Sequence, residues 1–333
     1  MTSVISDRYF KPSSIGMLYP LSSWLDDSTV TELLINKPGE VWVESNGSMK
    51  KYAVAALTRY YLSSLVRLIA NENKQQLSSI HPLLSGSLSD GSRVQIVLPP
   101  VSNSPAISIR RQVNKSMCID DYALSSSSAN ASSMHNSAAI SDDDLLHKYA
   151  DNKEWLSLIK LAVRMRKNII ISGGTSTGKT TLLNALLAEI PLGERIITLE
   201  DTRELILPHE NQLNLIAIKS TQQDSSSAVV SMQDLVQCCL RLRPDRIIMG
   251  EIRGAEIMDF LAASATGHDG SITCLHASSP LNAINRMMQM YKLNLVPSMT
   301  EDDIKQAIYQ VVDIIIQLKR TINGRFLDSV YLC

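Results

Sequence analysis

A glycine-rich stretch near the middle of the chain carries a single lysine followed by two threonines. The spacing Gly173-x4-Gly178-Lys179-Thr180 matches the pattern G-x-x-x-x-G-K-[ST], in which glycines let backbone N–H groups turn toward phosphate oxygens. Lys179 would supply a full charge to the outer phosphates, and the Thr180 hydroxyl would ligate Mg²⁺. The stretch therefore predicts a nucleoside triphosphate site formed by Gly173, Gly174, Thr175, Ser176, Thr177, Gly178, Lys179, Thr180 and Thr181.

A second chemical signal is the acidic stretch EDTRE. Glu200 and Asp201 end a β-branched segment, and Glu204 follows one turn later. Carboxylates at the end of a strand beside a phosphate-binding loop can hold Mg²⁺ through water or orient an attacking water. The same acids could instead cap the start of a helix, where negative charge is favourable. The residues alone leave both interpretations open.

A third signal lies in the stretch LRLRPDRIIMGEIRG. Its hydrophobic segment is followed by Gly250 and Glu251, at the place where the corresponding strand of P-loop proteins usually ends in aspartate. The longer glutamate carboxylate could reach a metal ion through a water molecule. The alternative is an exposed glutamate at a strand end, and the P-loop already identified favours the metal-binding role.

Two histidines flank a glycine turn and a short apolar segment in TGHDGSITCLHASSP. His268 and His276 could sense the γ-phosphate or relay its loss. A structural role is the alternative for each of them. A metal site is disfavoured, because no third ligand lies at a suitable spacing.

The elements that must position these residues follow from periodicity. Helical segments alternate with β-branched segments from residue 151 to residue 333, which predicts an α/β domain with a mostly parallel sheet and a terminal hairpin. Residues 1–113 predict a smaller α+β domain, in which LSSWLDDSTVTELLI is interpreted as a helix. Residues 114–150 contain the polar low-complexity stretch SSSSANASSMHNSAAISDDD, which is almost free of large apolar residues, and they predict a flexible linker.

The composition limits the class of protein. A formal net charge of −1 argues against a protein that coats nucleic acid by bulk electrostatics. Neither a signal core nor an uninterrupted apolar span is found, so we expect a cytoplasmic protein. The five cysteines include no C-x-x-C pair, which gives no support to a zinc ribbon. A GTPase is disfavoured, because no N-K-x-D follows the P-loop.

These motifs occur in one order: the P-loop, the EDTRE box, the glutamate-ended strand of LRLRPDRIIMGEIRG, and GHDGSITCLHASSP. In this order they resemble the bacterial secretion ATPase superfamily. The N-terminal stretches WLDDSTVTELLINKPGEVWVE and GSRVQIVLPP are similar to its type IV secretion and conjugation branch. The resemblance implies a RecA-like ATPase domain that follows the smaller α+β domain, with ATP and Mg²⁺ as ligands and a homohexameric ring as the assembly.

The resemblance also implies roles for individual residues. Lys179 and Thr180 would grip phosphates and magnesium. Glu204 would position the hydrolytic water, with Glu200 as its alternative, and Glu251 would hold the hydrated metal.

His276 would lie near the γ-phosphate. Arg93 and Arg110, from the N-terminal domain, would reach the nucleotide, where arginine forks onto phosphate oxygens. Whether they serve their own subunit or a neighbour is left open.

The function implied is ATP hydrolysis by a ring motor that energises pilus assembly or delivery of protein or nucleoprotein cargo through a type IV secretion system. Such a motor would lie at the cytoplasmic face of the inner membrane, peripherally associated with the secretion complex and its other ATPases. One alternative is an ATPase that extends or retracts type IV pili. Another is a nucleotide-switched assembly scaffold, which the intact set of acids disfavours. A DNA translocase is weakened by the absence of a basic, aromatic strand-tracking surface.

Overall fold

An antiparallel sheet forms the N-terminal unit. The computed structural model describes residues 14–111, 141–218, 229–296, 299–322 and 324–333. In the first of these ranges the elements are α1 Ser14–Met17, α2 Ser22–Leu25, β1 Val30–Ile35, β2 Glu40–Ser45, β3 Ser48–Ala53, α3 Arg59–Glu72, β4 Leu83–Ser87, β5 Arg93–Val97 and β6 Ala106–Arg110. The six strands lie in the order β3-β2-β1-β6-β5-β4.

Helix α3 covers one face of this sheet. Thr58 caps its first turn by accepting a hydrogen bond from the Tyr61 backbone N–H at 3.1 Å. Leu62, Leu65 and Ile69 recur at helical spacing and pack against the buried side chains of the sheet. The unit therefore has its own hydrophobic core.

The predicted helix over residues 21–35 is wrong in its second half. Val30–Ile35 is strand β1, which pairs with β2 on one side and β6 on the other. Leu33 and Leu34 point to opposite faces and both are buried. A central strand buried on both faces shows an apolar run that periodicity alone does not separate from a helix.

A seven-stranded sheet forms the C-terminal unit. The elements are α4 Asp142–Asp151, α5 Trp155–Arg164, β7 Ile169–Gly173, α6 Lys179–Leu187, β8 Ile196–Glu200, β9 Gln212–Ile216, α7 Met232–Cys239, β10 Arg246–Met249, α8 Glu256–Ala265, β11 Ile272–Leu275, α9 Pro280–Tyr291, α10 Glu301–Val311, β12 Ile314–Thr321 and β13 Gly324–Leu332. The strands lie in the order β13-β12-β7-β11-β10-β8-β9. Every strand pair is parallel except β12 with β13, which form the predicted terminal hairpin. The prediction of a mostly parallel α/β sheet is therefore confirmed.

The end of the predicted linker is helical. Most of the stretch 114–150 lies outside the described residues, but residues 142–150 belong to α4. Ser141 caps this helix by accepting from the Asp144 backbone N–H at 3.1 Å, and three aspartates occupy its first turn. Negative charge there complements the helix dipole, so the acidic run that suggested a linker starts a helix instead.

A buried polar network joins the two units. Arg195, at 1% exposure, donates to the side-chain oxygens of Asn36 at 2.8 Å and Asn211 at 2.6 Å, and to the carbonyl of Leu242 at 3.0 Å. Val97, from the N-terminal unit, shares one apolar core with α7. The N-terminal unit therefore docks at the amino ends of β8 and β9.

One carboxylate at this junction is poorly solvated. Glu32 is 5% exposed, and its nearest cation is the Arg110 guanidinium at 3.5 Å. Arg243 is engaged instead by Glu44 in a charge-assisted pair between the two units. Burial raises the pKa of Glu32 to about 7, an effect that Arg110 opposes and Glu44 reinforces.

Glu32→Gln is expected to weaken the pH dependence of stability. Between the ordinary glutamate pKa and about 7, the folded chain binds more protons than the unfolded chain. The free energy of unfolding of the wild type therefore falls as pH rises through this window, by up to about 3 kcal/mol, and Gln removes that fall. Urea unfolding at pH 5 and pH 8 measures it, with exposed Glu154→Gln as the control. Equal pH dependence in wild type and Glu32→Gln would contradict the expectation.

Candidate active site

The predicted P-loop connects β7 to α6 at the carboxyl edge of the parallel sheet. Gly178 has a φ of +95°, a conformation that favours glycine, and Ser176 has a φ of +60°. The Thr177 hydroxyl closes the loop by donating to the Gly174 carbonyl at 2.9 Å. A Cβ at Gly173 would lie 2.5 Å from this hydroxyl and 3.1 Å from the Leu318 carbonyl. These contacts hold the loop in shape.

Lys179 is the first residue of α6 and is 8% exposed. Its Nζ donates to the carbonyls of Gly173 and Gly174, both at 3.1 Å, and lies 3.3 Å from Nδ1 of His276. Burial lowers the pKa of Lys179, and the nearby Glu251 carboxylate opposes that effect. The ammonium group thus donates to two loop carbonyls and to His276, and phosphate oxygens would replace these acceptors.

His276 connects this lysine to Glu251. Its Nε2 lies 3.1 Å from Oε1 of Glu251. An ammonium group can only donate, so Nδ1 accepts from Lys179 and the Nε2 hydrogen is directed at the carboxylate. Lys179 of the P-loop and Glu251 at the end of β10 are therefore joined through one imidazole.

Sequence reasoning missed Arg253. Its Nε donates to Glu251 at 3.1 Å and its Nη1 donates to Asp201 at 3.2 Å. The guanidinium therefore ties together the carboxyl ends of β8 and β10. The available signal was its position two residues after Glu251.

Glu200 and Glu204 have different roles in the structure. Glu200 is 3% exposed, and its Oε1 accepts from the backbone N–H groups of Glu204 at 2.8 Å and Leu205 at 2.9 Å. Burial raises the pKa of Glu200, and these two N–H groups oppose the rise. Glu204 is exposed. Glu200 therefore orients the segment, and Glu204 is the exposed one of these two acids.

Asn184, on α6, also holds this segment and was missed from the sequence. It donates to the Glu204 carbonyl at 3.0 Å and accepts from the Ile206 backbone N–H at 2.9 Å. It lies four residues after Thr180, on the same face of the helix. The position of Glu204 relative to the P-loop helix is therefore set by hydrogen bonds.

Thr180, Glu204 and Glu251 line one cleft of about 140 Å³ with Glu200 and Arg253. Within the described ranges, no group of three His, Cys, Asp or Glu side chains could hold a metal ion by itself. Magnesium usually takes one or two protein oxygens and completes its shell with water and substrate phosphates. The Thr180 hydroxyl and the Glu251 carboxylate are such oxygens, so this donor set fits Mg²⁺ bound together with a nucleotide.

Three predicted site residues lie elsewhere. Arg93, Arg110 and His268 line a cavity of about 590 Å³ at the amino ends of the strands, together with Arg241 and Arg243. We call it the amino-edge cavity. The P-loop lies at the carboxyl edge, about 15 Å away at ~3.3 Å per strand residue. These side chains therefore do not meet the P-loop of their own chain, and His268 does not join His276.

P-loop NTPases bind phosphate at the carboxyl edge of a parallel sheet, and side chains at that edge orient the attacking water. The geometry around Lys179, Glu204 and Glu251 has both parts. The structure therefore has the site of a P-loop nucleoside triphosphatase of the α/β class.

Residues 18–328 match the family described as Type II/IV secretion system protein. The chain is 35% identical over 321 residues to type IV secretion system protein VirB11 of Brucella suis, covering 94% of this chain and 88% of that protein. It is 34% identical over 310 residues to PtlH of Bordetella pertussis, covering 91% and 89%.

A crystal structure of the VirB11 ATPase from the Brucella suis type IV secretion system, in complex with sulphate, matches at a TM-score of 0.87 and 33% identity. That match covers 96% of this chain and 94% of the other. The chain belongs to the type II/IV secretion system protein family. In the part of the chain that the structure describes, no helix is long and apolar enough to span a membrane.

Gly173→Ala is expected to destabilise the protein more than Gly174→Ala. The new Cβ at position 173 overlaps Thr177 and the Leu318 carbonyl, whereas at position 174 its nearest contact is at 3.9 Å. We expect a loss of about 1–3 kcal/mol for Gly173→Ala and less than about 0.5 kcal/mol for Gly174→Ala. Urea unfolding without nucleotide measures both, and equal losses would mean that the loop is not packed as described.

His276→Ala is expected to lower kcat by at least about tenfold, because the connection between Lys179 and Glu251 is lost. His276→Gln should retain more activity, since an amide can accept from Lys179 and donate to Glu251 as the imidazole does. Steady-state turnover, with the Kd for ADP measured separately by calorimetry, tests this. Wild-type turnover in His276→Ala would exclude the role.

Proposed function

We propose that the chain hydrolyses ATP as one subunit of a homohexameric motor that energises substrate translocation and pilus assembly in a type IV secretion system. The observation that carries the proposal is the hydrogen-bonded connection from Lys179 through His276 to Glu251. It links phosphate binding to the carboxyl end of β10. The family match over nearly the whole chain supports the secretion role.

Nucleotide binding would rearrange this connection. Phosphate oxygens would take Lys179 from the Gly173 and Gly174 carbonyls and from His276, which leaves Nδ1 of His276 without its donor. His276 is then free to turn toward the γ-phosphate while its other nitrogen still faces Glu251. The imidazole thus reports the presence of the terminal phosphate to the end of β10.

Hydrolysis needs an oriented water. Glu204 is the acid proposed to position it, because Glu200 and Asn184 fix its backbone and leave its carboxylate exposed in the cleft. Mg²⁺, held by Thr180 and through water by Glu251, would neutralise charge on the outer phosphates. A carboxylate as deeply buried and doubly engaged as Glu200 is better suited to holding the segment than to accepting a proton.

Arg93 and Arg110 are proposed to act on a neighbouring subunit. They face the amino-edge cavity, which lies at the opposite end of the strands from the P-loop of the same chain. In a ring, the carboxyl edge of one subunit can face that cavity in the next. Arginines on the closing surface would stabilise charge on the transferred phosphate, a contribution worth about 10³–10⁵ in turnover in other NTPases.

The proposed setting is the cytoplasmic face of the inner membrane, peripherally docked on the secretion complex and its other ATPases. VirB11 of Brucella suis and PtlH of Bordetella pertussis, each matched over more than nine tenths of this chain at 34–35% identity, are type IV secretion system proteins, which favours secretion over a pilus extension or retraction motor. A nucleotide-switched scaffold would bind nucleotide without needing an exposed Glu204 fixed at the P-loop.

The experiment is subunit mixing. Glu204→Gln and Arg110→Ala are each expected to bind ATP and to be nearly inactive. Mixed in equal amounts, they should recover activity, because about a quarter of the sites then pair an intact Glu204 with a neighbour's intact Arg110. Arg93→Ala with Glu204→Gln repeats the test without disturbing the contact between Glu32 and Arg110.

The outcomes separate the alternatives. No recovery from either mixture would place the arginines on their own subunit or outside catalysis. Specific activity that rises with protein concentration supports the ring. Wild-type protein that changes oligomeric state with ATP but does not turn it over would favour the scaffold.

A further inference from the structure

The terminal hairpin extends past the P-loop. Strand β12 pairs in parallel with β7, and the last pair joins Leu318 to Gly173. Strand β12 continues to Thr321, and β13 returns antiparallel to it. The hairpin therefore projects beyond the carboxyl end of β7, beside the loop that binds phosphate.

One face of the hairpin is directed at the start of α6. Leu318 packs in the core that contains the buried leucines of α6, and Arg320 lies two residues further on the same face. Arg325 pairs directly with Arg320 across the two strands. The Cδ atom of Arg325 lies 3.4 Å from where a Cβ on Gly178 would be. The guanidinium of Arg325 is thus within reach of a phosphate held by the loop.

The charges of the hairpin are unbalanced on this face. Arg320 and Arg325 are directly opposite like charges, an arrangement that destabilises a sheet. Among the described residues, no carboxylate oxygen lies within 4.0 Å of the guanidinium nitrogens of either arginine. Lys319, on the other face, is paired with Asp328 at 2.9 Å. An anion between the hairpin and the P-loop would relieve the repulsion.

The sheet order indicates which part of the nucleotide lies here. The catalytic carboxylates follow β8 and β10, on one side of β7, whereas β12 and β13 lie on the other side. In the proposed mechanism the γ-phosphate would point toward the carboxylates, so the α-phosphate and ribose would extend toward the hairpin. We propose that Arg325 binds the α-phosphate of the nucleotide held by Lys179 in the same chain.

A contact with the α-phosphate is present with ADP and ATP alike. Loss of Arg325 should therefore weaken binding of both nucleotides about equally, by about tenfold for one charge-assisted contact, and leave kcat within about twofold. Without nucleotide, Arg325→Ala should be at least as stable as wild type, because the repulsion from Arg320 is removed. A structural role for Arg325 would predict the opposite change in stability.

Calorimetric titration with ADP tests the proposal on Arg325→Ala, Arg325→Lys and the control Lys319→Ala, which removes the same charge from the other face of the hairpin. The expected result is a Kd raised about tenfold in Arg325→Ala, by less in Arg325→Lys, and unchanged within about twofold in Lys319→Ala. Equal affinities in Arg325→Ala and Lys319→Ala would overturn it.

The inference rests on the P-loop as the nucleotide site, and Lys179→Ala tests that separately. Loss of ADP binding in Lys179→Ala together with wild-type binding in Arg325→Ala would refute only the role of Arg325. Wild-type binding in Lys179→Ala would refute the site itself.

Discussion

The ammonium group of Lys179 is the charge around which the rest of the site is arranged. It is nearly buried, yet its partners in the described structure are neutral: two loop carbonyls and one imidazole. A buried cation with no carboxylate in direct contact is costly, and bound phosphate would supply the missing negative charge. The site is therefore suited to an anionic ligand, and His276 connects this lysine to Glu251.

The supporting hydrogen bonds keep the acids in place around this charge. Glu200 and Asn184 hold the segment that carries Glu204, and Arg253 joins the ends of two adjacent strands. Each of these links uses a side chain that does not need to touch the nucleotide. Such outer contacts set the geometry of a site as much as the groups that meet the substrate.

The sequence was sufficient for features that depend on neighbours in the chain. The P-loop, the parallel strands and the glutamate-ended strand follow from local patterns, and the structure contains them. Strand β1 was mistaken for a helix because a strand buried on both faces loses its alternation. Arg253 and Arg325 could not be assigned, because their partners depend on which strands lie side by side. The placement of Arg93 and Arg110 depends on how two units dock, which no local pattern specifies.

The two edges of the sheet have a consequence for assembly geometry. If, as proposed, one subunit offers its carboxyl edge and the next its amino-edge cavity, the two contacting surfaces differ, so such an interface would be heterologous and would run head to tail. A dimer with twofold symmetry cannot satisfy such a contact in both copies. Only a closed circle leaves no edge unused, and an open chain would keep one unfilled cavity and one uncovered P-loop at its ends.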